Sequence, residues 1–389
     1  MRDDFLPFAR PSVSEDAINE VVESIRSGWL AMGPKTIRFE ENFSKYTGAS
    51  WSVSVNSATA GLHTTLLALD IGPGDEVITT PMTFAATVNT IMFAGARPVL
   101  ADIDRNTLNI DPDKIEKAVT KNTKAIIPVH FAGMPCDMDR IEAIADKYGL
   151  AIIEDAAHAL GASYKGRKIG ADRGKRRASV FSFHPTKNIT TGEGGMICTG
   201  DEALAEKATV LRQNGMSKGA WNRYAAKGSA NYDIFFPGLK YTMMDIQAAI
   251  GDSQLRELGS FNARRKEIVS FYMEELSKAE GLILPKPAPW EHEHSWHIFT
   301  PLVDTEKLGM SRDDFMAEMK KRNIGTALHY QAIHLFTCFS EATGLGRGSL
   351  PEAEYVSDRI VSLPLFPAMT DRDARDVVEA VFEICGKKS

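Results

Sequence analysis

Between residues 50 and 200, short apolar runs alternate with stretches of helical periodicity. SVSV (52–55), EVIT (76–79), RPVLADI (97–103), KAIIPV (124–129), LAIIED (150–155) and SVFSF (179–183) are rich in β-branched residues and lack in-out alternation. That pattern predicts strands covered on both faces. TAGLHTTLLALD (59–70), DKIEKAV (113–119) and DMDRIEAIADKYG (137–149) lie between several of them and read as helices. Strand alternating with helix predicts an α/β domain with a mostly parallel sheet. Beyond residue 245 the pattern changes. DIQAAIGDSQLREL and NARRKEIVSFYMEELSKA (245–279) predict a long, bent helical stretch, which PKPAPW (285–290) ends. HSWHIFTPLVD then reads as a strand, SRDDFMAEMKKRN as a helix, IGTALHY as a short segment, and a last helix ends near Cys385. The expected division is an N-terminal arm and large α/β domain over 1–255, with a smaller α+β domain over 256–389.

A chain of 389 residues with 43% hydrophobic and 25% charged residues can bury a sizeable core without disulfides or metals. Its net charge of −6 argues against a dedicated nucleic-acid binder, which needs clustered positive charge. Cys136, Cys198, Cys338 and Cys385 are scattered with no CxxC pair, so neither a disulfide framework nor a zinc site is expected. The N-terminal MRDDFLPFAR has no signal-peptide core, and no stretch has the apolar length to span a bilayer. A cytoplasmic protein with no membrane partner is the expectation.

Candidate chemistry falls at strand ends, where open α/β sheets collect ligands. After SVSV, Ser57 is an N-cap residue. The N–H groups of Ala58 and Thr59 would point at an anion that the helix dipole favours. After LAII come Glu154 and Asp155, with His158 three residues on. A buried carboxylate there needs a cationic partner, unless it only caps a helix. In FSFHPTKNITTGEGG (181–195), Pro185 stops a strand and a single lysine, Lys187, follows. Burial would lower its pKa and make it a usable amine nucleophile; an isolated lysine is more often solvated surface. An anion cradle, a buried acid and an amine, in that order, match what pyridoxal phosphate requires.

IIEDAAH followed by SFHPTKNITTGEGGM resembles the signature of the fold-type-I nucleotide-sugar aminotransferases, the DegT/StrS family. The similarity extends through SGWLAMGPK (27–35), GPGDEVITTPMTFAATVN (72–89), VHFAGMPCDMD (129–139) and SLPLFPAMT (362–370). FLPFARP, HEHSWHIF and IGTALHYQAIH are most similar to members that aminate a UDP-linked 4-keto-arabinose; a 4-keto-6-deoxy or 3-keto sugar on UDP, dTDP or GDP is the alternative. The resemblance implies a pyridoxal 5′-phosphate enzyme that uses L-glutamate, yields 2-oxoglutarate and supplies amino sugars for polysaccharide or lipopolysaccharide. It implies Lys187 as the Schiff-base lysine and proton carrier, and Asp155 as partner of the pyridine nitrogen. Phe84 would stack on the ring, His158 would lie near its phenolic oxygen, and Ser57, Ala58, Thr59 and Ser182 would hold the phosphate. Substrate contacts would come from His184, Asn188 and His329. It also implies a homodimer with shared active sites, in which Lys240 stands where the family usually has an Asn that reaches the neighbour's phosphate.

The loop 164–179, YKGRKIGADRGKRRAS, is more basic than the family's usual turn; it could attract a diphosphate, or be a solvated surface. HEHSWH (292–297) superficially suggests a metal site. The HExxH spacing fails at Trp296, and on a strand His294 and His297 would face opposite sides, so no metal is expected. Related dehydratases carry histidine in place of the lysine, and a non-catalytic regulator would be expected to lack Lys187 or Asp155. Both residues are present.

Overall fold

The computed structural model describes residues 2–216 and 233–386. Helices α1 (Glu15–Ser27) and α2 (Pro34–Thr47) lead into β1 (Trp51–Val55) and α3 (Ala58–Ala68). The alternation continues through β2 (Glu76–Thr79), α4 (Ala85–Phe93), β3 (Arg97–Leu100), α5 (Pro112–Ala118), β4 (Thr123–Ile127), α6 (Met138–Tyr148) and β5 (Ala151–Asp155). Short strands β6 (Ser163–Tyr164) and β7 (Arg167–Lys168) precede β8 (Arg177–Ser182), β9 (Gly195–Thr199) and α7 (Glu202–Leu211).

Seven of these strands form one sheet in the order β1-β9-β8-β5-β4-β2-β3. The pairs from β8 to β3 are parallel, whereas β9 runs antiparallel to both β1 and β8. This is the mostly parallel α/β sheet that the alternation predicts. Its central strands are buried along their whole length, which is why their sequences are continuously apolar. The reading from sequence omitted β9: GMICT follows a glycine-rich turn, and its antiparallel return has no helix before it to mark it.

The C-terminal part begins on α8 (Asp245–Leu276), a single helix of 32 residues within the long helical stretch expected over 245–279. Asp245 anchors its start to the head of α2, accepting from the N–H groups of Gly33 (2.8 Å) and Thr36 (2.9 Å) and the Thr36 hydroxyl (2.6 Å). The helix crosses residue 255 unbroken. Its Leu255 and Leu258 join the core around Ile152 and Phe181, while Ile268, Tyr272 and Leu276 join another with Val377 and Val381. Beyond it lie β10 (Leu282–Ile283), β11 (His292–Glu293), β12 (Leu302–Val303), α9 (Thr305–Leu308), α10 (Arg312–Lys321), α11 (Thr337–Thr343), α12 (Pro351–Ser357) and α13 (Asp371–Ile384). The N-terminal arm packs on this part: Leu6 bridges Ile324, and Arg2 pairs with Asp373 (2.6 Å) and Asp376 (2.7 Å).

The stretch 294–304 is not the continuous strand its composition predicts. Trp296 has a left-handed φ of 47°, which breaks the extended run between β11 and β12. His294 stacks on Trp296 at 3.7 Å, while the buried ring of His297 lies 4.4 Å from His158. No described helix is long and apolar enough to cross a membrane.

Candidate active site

A cavity of about 710 Å³ opens at the carboxyl ends of the central strands. It is lined by ten of the residues singled out from sequence: Ser57, Ala58, Thr59, Phe84, Asp155, His158, Ser182, His184, Lys187 and His329. They come from five separate stretches, each delivered by a strand end or helix start, as expected where strands leave an open sheet.

The anion cradle is built by one capping choice. Ser57 Oγ accepts from Ala60 N at 3.1 Å, so the N–H groups of Ala58 and Thr59 have no acceptor among the described residues. They face the cavity from the positive end of α3. Gly195 makes the approach possible: a Cβ there would meet Ala58 N at 2.7 Å and Phe181 O at 2.8 Å. Ser182 lines the same end of the cavity wall, at the last position of β8.

Asp155 closes β5 and is buried. It accepts from Thr87 Oγ1 at 2.8 Å and Ala157 N at 3.2 Å, so it caps no helix. Burial raises its pKa, against these donors and the Lys187 charge. Glu154 points away, to His130 Nε2 (2.8 Å) and Ser179 Oγ (2.9 Å). Burial opposes its ionisation, but these bonds and the charge of Arg173 hold its carboxyl below the usual range. The acidic dipeptide thus splits its work across the sheet, with one carboxylate for the cavity and one for the core.

Lys187 stands partly buried on the turn after β8, its N–H donating to His184 O at 2.9 Å. Burial pulls its amine down to about 8, with Asp155 opposing the shift. About a tenth of the amine is therefore neutral at pH 7, and half of it at about pH 8. Phe84 caps α4 and is 63% exposed, with its ring 6.2 Å from that of Tyr330. His329 lines the cavity with Nδ1 2.8 Å from Ser362 Oγ, and burial pulls its pKa down to about 4.

His158 is buried with its Nδ1 accepting from Ala132 N at 3.2 Å and its Nε2 2.9 Å from the Tyr330 hydroxyl. Burial and the Lys187 charge lower its pKa well below the usual imidazole value. Tyr330 and Thr87 are the site residues that sequence reasoning missed. Both stood next to signals already seen, Tyr330 beside His329 and Thr87 in the MTFAAT segment.

Two sequence-predicted residues do not line this cavity. Asn188 is buried beneath it, donating to Asn262 Oδ1 (2.8 Å) and Ser295 O (2.9 Å). Lys240 is exposed, with its backbone bridged to Gln213. The basic loop 164–179 is absent from the lining as well. Arg177 pairs with Asp146, Arg173 with Glu142, Lys165 with Asp139, and Lys168 lies over Tyr46.

Sequence and fold, compared with known proteins, place the chain in a family. The chain belongs to the DegT/DnrJ/EryC1/StrS aminotransferase family, which it matches over residues 11–382. It is 47% identical to the spore coat polysaccharide biosynthesis protein SpsC of Bacillus subtilis, covering 98% of each chain. Among solved structures it is similar to the PLP form of the putative sugar aminotransferase Spr1654 from Streptococcus pneumoniae, with a TM-score of 0.89 and 32% identity over 98% of this chain and 99% of that one. It is also similar to Helicobacter pylori PseC, an aminotransferase involved in pseudoaminic acid biosynthesis (TM-score 0.90, 27% identity, 99% and 100% covered). The protein is a pyridoxal-phosphate-dependent sugar aminotransferase.

Proposed function

We propose that this enzyme transaminates a nucleotide-linked keto sugar with L-glutamate as amino donor, for polysaccharide biosynthesis. The observation that carries the reading is Lys187: a partly buried amine, pulled down to about 8, in a cavity with Asp155 and the open start of α3. These residues fit pyridoxal phosphate. The unpartnered N–H groups of Ala58 and Thr59, with the hydroxyls of Ser57 and Ser182, suit its phosphate. Asp155, held by Thr87, suits its ring nitrogen, and Phe84 suits one ring face. The bound cofactor supplies an electron sink for the pair left when a C–H proton is removed.

Lys187 would hold the cofactor and, as a free amine, would take up and return the proton at the substrate carbon. It does so in both half-reactions: glutamate leaves as 2-oxoglutarate, and the keto sugar departs aminated. Asp155 would stay ionised on pairing with a cationic ring nitrogen, which would offset the cost of its own burial. His329 and His184 line the cavity and would meet the sugar nucleotide. Asn188 acts from below, fixing the lysine turn to Ser295 and Asn262.

The sugar favoured by HEHSWHIF and IGTALHYQAIH is UDP-4-keto-arabinose. A 4-keto-6-deoxy or 3-keto sugar on UDP, dTDP or GDP is the second reading. The enzyme works as a cytoplasmic homodimer with shared sites. Support comes from exposed Phe93 (67%) and Phe235 (58%), and from Lys240 lying outside its own cavity, free to reach a neighbour's phosphate.

A panel of nucleotide keto sugars, assayed with glutamate by 2-oxoglutarate release, tests the function. Turnover is expected with one sugar class and lost in Lys187→Ala together with the cofactor's visible absorbance. Steady turnover by that variant, or activity confined to a free amino-acid pair, refutes the proposal.

A further inference from the structure

Residues 2–13, ahead of α1, form neither helix nor strand beyond one bridge, yet this arm is tied down at both ends. Near its start, Arg2 pairs with Asp373 and Asp376, and Asn323 Nδ2 donates to Arg2 O at 2.8 Å. Leu6 N then donates to Asn323 O, and Gly325 N to Leu6 O, each at 2.8 Å. Near its end, Gln254 Nε2 donates to Ser12 O at 2.7 Å. Gly325 is what lets the arm lie this close: a Cβ there would meet Leu6 O at 2.9 Å and Phe8 N at 3.0 Å.

The apolar side chains of the arm go to different places. Phe5 is exposed, and Leu6 is buried in the C-terminal core with Ile324 and Phe315. Phe8 is half-buried and joins another cluster, with Phe131, Ile333 and Tyr330, of which Ile333 and Tyr330 also line the lysine cavity. There its ring meets that of His329, with centroids 5.2 Å apart and planes inclined by 36°.

His329 lines the cavity and is held by one hydrogen bond, between Nδ1 and Ser362 Oγ at 2.8 Å. A bond at one ring nitrogen fixes that atom but leaves the ring able to swing about it. Two aromatic rings limit the swing: Tyr330, edge-on at 5.0 Å, and Phe8. Tyr330 is the next residue along and shares the backbone of His329. Phe8 is the contact brought from the far end of the chain, and it does not itself line the cavity.

We propose that Phe8 is a positioning residue for the keto-sugar half-reaction. The strapped arm holds Phe8 against His329, and Phe8 sets the direction in which that imidazole meets the sugar nucleotide. The inference rests on the reading of His329 as a sugar-nucleotide contact.

The test compares Phe8→Ala, His329→Ala and the double variant as cofactor-loaded full-length enzymes, on the keto sugar that the unaltered enzyme turns over. Phe8→Ala should raise KM for that sugar about threefold to tenfold, the worth of one aromatic pair, with kcat unchanged. The glutamate half-reaction, followed by loss of the cofactor's visible band, should keep its rate. In the His329→Ala background, Phe8→Ala should have no further effect, because a residue that acts through another is not additive with it. Additive losses, or a fall in both half-reactions together, would make Phe8 a packing residue only and overturn the proposal. Gly325→Ala, whose methyl would push on Leu6 O and Phe8 N, shifts the arm without altering either ring. It should raise KM in the same direction, which keeps the proposal testable if Phe8→Ala does not fold. No turnover of any keto sugar by the unaltered enzyme overturns the keto-sugar reading and this inference with it. Turnover that Phe8→Ala leaves at its original KM overturns this inference alone.

Discussion

The Tyr330 hydroxyl lies 2.9 Å from Nε2 of His158, across 172 positions of sequence. The direction of that bond follows from the other side of the ring. Nδ1 accepts from Ala132 N, and the ring is held neutral, so its only proton is on Nε2 and is donated to the Tyr330 oxygen. The phenol hydrogen is then free to be offered to an acceptor within the cavity that Tyr330 lines.

Tyr330→Phe should therefore leave cofactor binding in place and lower kcat by roughly tenfold to a hundredfold, the range for losing one hydrogen bond to a charged group. Steady-state kinetics beside an absorbance titration separate the two effects. An unchanged kcat would remove Tyr330 from the reaction.

Lys187 sets a pH dependence. Its amine loses its proton at about 8 in the folded chain and at 10.5 when fully solvated, as in the unfolded chain. Between those values the unfolded chain binds more protons, so this group makes stability rise with pH from 8 to 10.5. Below 8 both states are protonated, and the folded state carries the burial cost, on the order of 2–3 kcal/mol after allowing for partial exposure. Capture of added cofactor by the cofactor-free protein needs neutral amine. Its rate should climb through a midpoint near 8 and level off above it, followed by stopped-flow absorbance. A midpoint near 10.5 would mean that the lysine is solvated.

Strand placement was legible wherever burial on both faces wrote a continuous apolar run, as at Glu76–Thr79, where the expected and observed limits coincide. It failed at Gly195–Thr199, behind a glycine turn, and at 294–304, where a left-handed Trp296 interrupts a sequence otherwise suited to a strand. The site residues visible in the sequence were those fixed by local geometry: a cap, a strand-end acid, a lysine after a proline. Tyr330 was invisible because its meaning lies in a partner 172 positions away. Asn188 carries no local sign that its amide is spent on Ser295 and Asn262, both contributed from beyond residue 260.

Gly195 is the packing residue of the cradle. An added methyl would sit 2.7 Å from both Ala58 N and Ser57 C, which are backbone atoms that cannot rotate away. In Gly195→Ala, β9 must back off from the start of α3 and tilt the N–H groups of Ala58 and Thr59. Overpacking of this kind costs about 1–3 kcal/mol. We expect that loss in denaturant unfolding, with cofactor affinity weakened at least about tenfold, because about 1.4 kcal/mol is tenfold. Normal affinity in a destabilised variant would show that the phosphate is held elsewhere.

Thr87 positions Asp155. Its hydroxyl stands between Thr83 Oγ1 at 2.7 Å and Asp155 Oδ2 at 2.8 Å, so with Thr83 as donor behind it, it gives its own hydrogen to the carboxylate. Thr87→Val keeps the shape and removes that hydrogen. The carboxylate, its pKa already raised by burial, loses one of the groups favouring its charged form, so its pKa rises further. Protonated Asp155 cannot pair with a cationic ring nitrogen. The acid limb of the kcat/KM profile should therefore move to higher pH by about one unit, the equivalent of one hydrogen bond of about 1.4 kcal/mol. Thr87→Ser, which restores the hydroxyl, should return the limb to its original position. A purely structural role would lower activity equally at every pH and leave the limb where it was.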